Sequence, residues 1–317
     1  QLPAEHAALT ETPVFLHWRG ELAPPLPGLT QIDQKKFFIS IPEPTVGHWS
    51  NESYEGVAAE HLLQILAGSS TTINPEHLER VVPALIYRTR RNRVWKIGPP
   101  GHSPALVIKK FPSGRRKKKK PCRNWNNACE LMRRGINTPR PVGFLESRTG
   151  KDPGYFVSES FEGAASARSC FERLREPEGT PEIPREFLFE EMALFAKKLH
   201  DRGVYYRDLS AGNLLVRRSS VGRIKFSLVD PGRARFFRKP LPLRLRLADL
   251  MRLVHPLSWK CREELVRCYF ADDGRFDRRV YFLAFVYYDC KTAVKRFLKR
   301  AGQKRNGYGP LLRRIRR

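Results

Sequence analysis

Apolar residues change their spacing along this chain, and the change divides it. From residue 81 onward they fall in short β-rich runs, "VVPALIY", "RVWKI" and "ALVIKKF", separated by stretches such as "GPPGHSP". Three strands joined this way predict an antiparallel meander, with "GPPG" as the turn between the second and third. "PRPVGFLES" and "GYFVSESFEG" predict two more strands. Between the meander and these lies "NWNNACELMRRGIN". There Trp125, Ala128, Leu131 and Met132 share one helical face, and Gly135 stands at the C-terminal cap.

Beyond Gly163 the spacing becomes helical. "REFLFEEMALFAKKLHDRG" places Leu188, Met192, Phe195, Ala196 and Leu199 on one stripe and closes at Gly203. "RLADLMRLVHPL", "CREELVRCYF" and "VYFLAFVYYDCKTAVKRFLKR" predict three further helices. The first 80 residues differ: eight of the chain's 25 prolines lie there, some in "APPLPG" and "IPEP". That region offers one candidate strand, "KFFISI", and one candidate short helix, "YEGVAAEHLLQILAG". The fold class expected is α+β in two lobes. Residues 1–80 form an extension or cap, 81–162 an antiparallel β-rich lobe, and 163–317 a mainly helical lobe with a basic tail.

Charge changes the picture more than size does. The net charge of +27 over 317 residues suits a polyanionic partner: nucleic acid, an anionic membrane or a phosphorylated glycolipid. The basic residues concentrate in Arg115–Lys120 and after Asp289, where eleven Lys or Arg face no acid. Both read as solvated segments able to lie on an anionic surface. Six widely spaced Cys, without a C-x-x-C pair, argue against zinc and a disulfide framework, and read as buried thiols in a reducing compartment. No apolar run approaches the roughly 18 residues of a membrane span. The chain starts at Gln1 with its first Met at 132, as a trimmed product would.

Four features then fall in the order that phosphoryl transfer from ATP requires. Lys109 ends the apolar strand "ALVIK", where an amine reaches nucleotide phosphates from a rigid element. Glu130 is the only acid between Lys109 and Glu146, and so the local candidate to brace that lysine. "RDLSAGN" supplies Asp208, to orient or deprotonate an attacking hydroxyl, and Asn213, to help hold a metal. "FSLVDPG" puts Asp230 at a strand end, a natural site for a Mg²⁺ ligand. Lys110 is the alternative phosphate lysine. Strand alternation sets it opposite Val107, Lys109 and Phe111, and Lys109 follows the apolar run directly.

"VIK", "YRDLSAGN" and "DPG" resemble the V-A-I-K, H-R-D-L-x-x-x-N and D-F-G of the protein-kinase-like fold. Within it the chain most resembles the Kdo/WaaP lipopolysaccharide kinases, which phosphorylate sugars of the endotoxin inner core. "ELMRRGINTPRPVGF", "LVDPGRARF" and "RLRLADLMRLVHPL" carry that resemblance over roughly residues 81–300. It implies ATP and Mg²⁺ as cofactors, Asp208 as catalytic base, and Asn213 with Asp230 on the metal. Lys109, Glu130, Glu159 and Phe161 are the expected nucleotide-binding residues, with Arg233 and Asp249 in support, Asp249 as a brace for the catalytic loop.

The implied partner is lipopolysaccharide inner-core glycolipid on an anionic membrane, with nucleic acid disfavoured. The implied location is cytoplasmic, peripheral on the inner face of the inner membrane. Tyr206 stands where the family pattern has His, and Ser210 where protein Ser/Thr kinases place a Lys. No G-x-G-x-x-G precedes Lys109, so "RTRRN", Arg88 to Asn92, becomes the expected phosphate loop. The rival readings are a kinase of the same fold acting on protein or a small molecule, and a non-catalytic basic binding module.

Overall fold

The computed structural model describes residues 46–50, 54–59, 84–88, 93–97, 105–114, 120–175, 183–219, 222–271 and 277–307. Seven strands form one antiparallel sheet: β1 (Val46–Ser50), β2 (Tyr54–Ala59), β3 (Ala84–Arg88), β4 (Arg93–Ile97), β5 (Leu106–Phe111), β6 (Pro141–Ser147) and β7 (Gly154–Glu159). Their order is β1-β2-β6-β7-β5-β4-β3. The meander β3–β5 and the pair β6–β7 stand where the apolar pattern put them. Lys109 is opposite Val94 of β4 and Phe156 of β7, so it rides on a strand paired on both sides.

One expectation fails at residue 54. "YEGVAA" is strand β2, not the start of a helix, and it pairs with β6 from Tyr54↔Ser147 to Ala58↔Gly143. The reason sits at Gly56, where a Cβ would collide with the Phe144 carbonyl. The bare backbone lets β2 run close along β6, and that pairing overrides the local helical pattern. "KFFISI", the segments 60–83 and 98–104, and the expected phosphate-loop residues 89–92 lie outside the described residues.

Helix α1 (Lys120–Arg133) packs on the sheet through Trp125, Ala128 and Cys129, against Phe111, Phe144 and Phe156. The Trp125 and Phe144 ring centroids are 5.8 Å apart. Leu131 is buried as expected, but Met132 is exposed. Burial also spreads beyond the predicted stripe to Asn124, Asn126, Asn127 and Glu130, and Asn127 on this second surface meets the turn after residue 229.

The remaining chain is mostly helical: α2 (Ala167–Arg173), α3 (Arg185–Asp201), α4 (Leu243–Val254), α5 (Trp259–Tyr269) and α6 (Arg278–Gly307). Two small ladders thread among them. β8 (Ala165–Ser166), β10 (Leu214–Arg218) and β11 (Ile224–Leu228) form one, and β9 (Val204–Tyr205) with β12 (Arg235–Phe236) the other. The apolar core forms around α3. Leu188, Met192, Ala196 and Leu199 are fully buried, and Phe195 stacks at 5.3 Å on Phe226 at the margin. Gly203 takes φ +70 after α3, and a Cβ there would meet the Phe237 carbonyl, so the stripe ends where the sequence placed its cap. All six cysteines are free thiols, but only Cys129 is buried; Cys122, Cys170, Cys261 and Cys268 are partly exposed and Cys290 is exposed, against the expectation of buried thiols. No helix among the described residues is long and apolar enough to cross a membrane.

Candidate active site

Two short β ladders bring the motif residues together. β9 pairs with β12, and the loop of residues 206–213 runs from β9 into β10. The β10–β11 hairpin returns the chain alongside, where Val229 N–H donates to the Asn213 carbonyl (3.0 Å). Asp230 therefore emerges beside Asn213. Asp230 itself adopts φ +65, ψ +55 and starts a 3₁₀ turn over Pro231–Arg233. Asp is among the few non-glycine residues that enter this region at low cost.

The 206–213 loop is held from below by a buried carboxylate. Asp249 on α4 is fully buried and accepts from the backbone N–H of Tyr206 (2.7 Å) and of Arg207 (2.9 Å). Those two bonds fix Arg207 at φ +64, a conformation costly for a long side chain. Asn213 Nδ2 closes the loop by donating to the Asp208 carbonyl (2.9 Å). At the rim, Arg233 Nη1 approaches Asp208 Oδ2 at 3.3 Å.

Tyr206, at the position where the kinase motif has His, ties the loop to the chain before Asp230. Its hydroxyl donates to the Val229 carbonyl (2.7 Å), linking the loop to the residue just before Asp230. Burial pushes its phenol well above the usual tyrosine range, so it stays a neutral donor. His200, at the end of α3, lies beneath. Its Nδ1 pairs with Tyr269 Oη (2.8 Å) and its Nε2 faces Asp249 at 3.8 Å. Burial holds this imidazole below its ordinary pKa, against the opposing pull of Asp249.

Lys109 and Glu130 do not meet. Lys109 Nζ lies 2.5 Å from Asp230 Oδ1 and over the Phe111 ring at 5.2 Å. Glu130, almost fully buried, instead pairs with Arg133 (2.7 Å) and Arg134 (2.6 Å) on its own helix. Guanidinium groups three and four residues along are the nearest partners a helical carboxylate can have, and they take it. Arg134 then reaches across, donating to the carbonyls of Phe237 (2.8 Å) and Arg202. Glu130 thus anchors α1 to the region after α3, and the expected lysine brace is corrected.

α1 contacts the Asp230 turn through asparagines. Asn127 Nδ2 donates to the Pro231 carbonyl (2.6 Å), and Asn124 lies against Gly232, where a Cβ would fall 2.6 Å from its Nδ2. The "INTP" segment adds two bonds to β11. Asn137 Nδ2 donates to the Phe226 carbonyl (2.7 Å) and Thr138 Oγ1 to that of Leu228 (2.7 Å). Sequence reasoning missed Asn124, Asn127 and Arg134. The available signal was "NWNN", polar residues at positions where a helix packed on a sheet carries apolar ones.

Glu159 ends β7, and Phe161 sits on the connection from β7 to β8. Glu159 is opposite Leu106 in the sheet and pairs with Arg140 at 3.7 Å. Phe161 lies under the Arg217 guanidinium at 4.4 Å. No described hydrogen bond or ion pair links either residue to Lys109, Asp208 or Asp230. The basic-run residues 115–119 and the last residues, 308–317, lie outside the described residues.

The donors present suit a hard cation. Asp230 Oδ2 and Asn213 Oδ1 accept no hydrogen bond among the described residues, and Asp230 is 40% exposed. Mg²⁺ binds through one or two such oxygens and completes its shell with water and substrate phosphates. Among the described residues, no cluster of three or more His, Cys, Asp or Glu suits a metal held wholly by protein.

Residues 115–267 match the lipopolysaccharide kinase (Kdo/WaaP) family model, a narrower span than the motifs suggested. Among solved structures, a protein described as "WaaP in complex with acyl carrier protein" superposes with a TM-score of 0.55 at 19% identity. The overlap covers 74% of this chain and 97% of that one. At that identity the likeness establishes the fold. No curated protein matches by sequence.

Proposed function

With a lipopolysaccharide-kinase-type core as premise, we propose that this protein transfers the γ-phosphoryl group of ATP to a Kdo or heptose hydroxyl of the lipopolysaccharide inner core. The observation that carries this reading is the Lys109–Asp230 contact of 2.5 Å. It sets a strand lysine and a turn carboxylate in one place, beside the loop that bears Asp208 and Asn213.

In this mechanism Asp208 orients the acceptor hydroxyl and takes its proton as the phosphoryl group leaves ATP. Lys109 exchanges Asp230 for the nucleotide phosphates, offsetting charge that develops there. Asp230 and Asn213 would hold Mg²⁺, which supplies charge neutralisation on the phosphates. Arg233, 65% exposed beside Asp208, meets an acceptor that is itself anionic. Glu159, at the end of β7, and Phe161, on the connection after it, would flank the nucleotide.

The acceptor places the enzyme at the cytoplasmic face of the inner membrane, as a peripheral protein, where ATP and lipid-linked sugar are both present. A carrier-protein partner like that of the similar solved kinase belongs to the same proposal and is tested by co-purification. The decisive experiment for the reaction is ATP consumption on purified dephosphorylated core glycolipid, with mass spectrometry of the product. A mass gain of one phosphate on a core sugar supports the reading. ATP turnover that modifies only protein or a small metabolite overturns it.

A further inference from the structure

Helix α6 carries an apolar surface that the fold leaves uncovered. Of thirteen large hydrophobic side chains exposed among the described residues, eight lie on this one helix. Its inner face is ordinary: Tyr281 and Phe285 are buried, and Trp259 of α5 stacks on Phe285 (5.6 Å) and Phe282 (5.5 Å). The outer face is not. Leu283, Tyr287, Val294, Phe297 and Leu298 are 58–70% exposed.

Helical geometry turns that list into a shape. At about 100° per residue, these side chains with Phe282 fall within an arc of roughly 160°. From Leu283 to Leu298 the arc runs about 24 Å at 1.5 Å per residue. No charged residue between positions 282 and 298 falls inside it. Lys291 and Lys295 lie along one margin and Arg296 along the other. Over its whole length the helix carries nine Lys or Arg and a single acid, Asp289. That acid is already engaged by Arg262 (2.7 Å) and His255 (2.8 Å) on the inner side.

We infer that the outer face of α6 docks in the plane of an anionic bilayer, with the Leu283–Phe297 stripe in the acyl boundary and the flanking Lys and Arg among the headgroups. An anionic membrane offers both complements at once, apolar below and negative at the margins. A second copy of a +27 chain would bring like charges against those margins. The convex face of a single helix also lacks the groove that a partner helix requires. The inference rests on the membrane-facing reading above and assigns it a surface. Lys and Arg at the edges can extend their heads to the interface while their stems stay on the apolar side.

The test uses the full chain in vesicle flotation, on phosphatidylcholine alone and mixed with phosphatidylglycerol, at low and high salt. The variants are the triple substitution Leu283→Ser, Tyr287→Ser, Phe297→Ser and, separately, Val294→Glu, all at exposed positions. Wild type is expected to float with the anionic vesicles and much less with the neutral ones, and each variant to lose at least ten-fold in binding. A fluorophore on Cys290, which falls inside the arc and is exposed, should shift to the blue on binding. Phosphorylation of a soluble, deacylated core oligosaccharide is measured in parallel and should be unchanged in the variants. If no acceptor is phosphorylated while the variants still lose flotation, the docking surface stands and the kinase reading falls. Failure of the wild type to float, or equal flotation of wild type and variants, overturns the docking surface. Loss of acyl carrier protein binding in the variants with flotation intact does so as well, and reassigns the stripe to a protein partner.

Discussion

Lys109 Nζ and Asp230 Oδ1 stand 2.5 Å apart, so the two charges that a nucleotide and its metal would claim neutralise each other. Lys109 is largely shielded in this pair and Asp230 is not. The solvent-facing side of the contact is therefore the carboxylate side.

Replacing Lys109 with Ala should lower phosphoryl transfer about 100-fold or more, since one preorganised charge at the reacting phosphate is worth about 3 kcal/mol. Lys110→Ala, on the opposite strand face, should change it by less than a few fold. Steady-state kinetics of both variants make the comparison, and the reverse result would move the phosphate lysine to the other face.

Asp230→Asn should abolish turnover and leave thermal unfolding nearly unchanged. Asn tolerates the positive φ of this position as readily as Asp does, so the turn survives while the anionic ligand is lost. Measured Mg²⁺ dependence should disappear with activity. A folded, fully active Asp230→Asn protein would exclude this residue from the metal site.

Glu130→Ala should act on stability before chemistry. It removes the carboxylate from the buried Arg134, and breaking such a pair costs about 3–5 kcal/mol. Denaturant titration should show that loss, while the folded fraction keeps kcat within a few fold. Unchanged stability with lost turnover would restore Glu130 as the lysine's partner.

Tyr206→Phe should cost about 1–3 kcal/mol, because the Val229 carbonyl loses its buried donor. Turnover should fall with it, since that bond ties the Asp208 loop to the residue before Asp230. Unfolding and kinetics on the same preparation separate the two effects.

Stability should fall as the medium is acidified below about pH 6.5. His200 is buried with its pKa depressed by burial, facing Asp249, Tyr269 and, more distantly, Arg246 and Asp201. The unfolded chain takes up a proton near the ordinary histidine pKa of about 6.5, which the folded chain refuses. Its contribution is thus complete above that pH and is lost below it, by at most about 1.4 kcal/mol per pH unit. His200→Asn should flatten the slope between pH 7 and 5 in equilibrium unfolding.

The sequence displayed those residues whose chemistry constrains their neighbours. That Asp208, Asn213 and Asp230 would lie together was legible because a loop acid, an amide five residues on and an acid at a strand end form a recognisable series. Lys109 was singled out because it directly follows the apolar run, and it is the lysine that meets Asp230. Glu130 misled because elimination found the only local acid but ignored Arg133 and Arg134, the partners helical geometry puts nearest. "YEGVAA" misled because nothing local announces that Gly56 will lie against the Phe144 carbonyl. Asn127 stayed hidden because its partner, the Pro231 carbonyl, lies 104 residues away.

Asp249 has a consequence for selectivity. Because its two backbone bonds shape the 206–213 loop from inside the fold, no acceptor has to supply energy to assemble that loop. A poor acceptor and a good one would meet the same preformed loop. On the proposed reading, discrimination between acceptors would then fall to the exposed rim, where Arg233 reaches Asp208 itself. The shape of the loop and the choice of acceptor would thereby rest on separate residues, Asp249 inside the fold and the rim outside it, and the second could change while the first stays fixed.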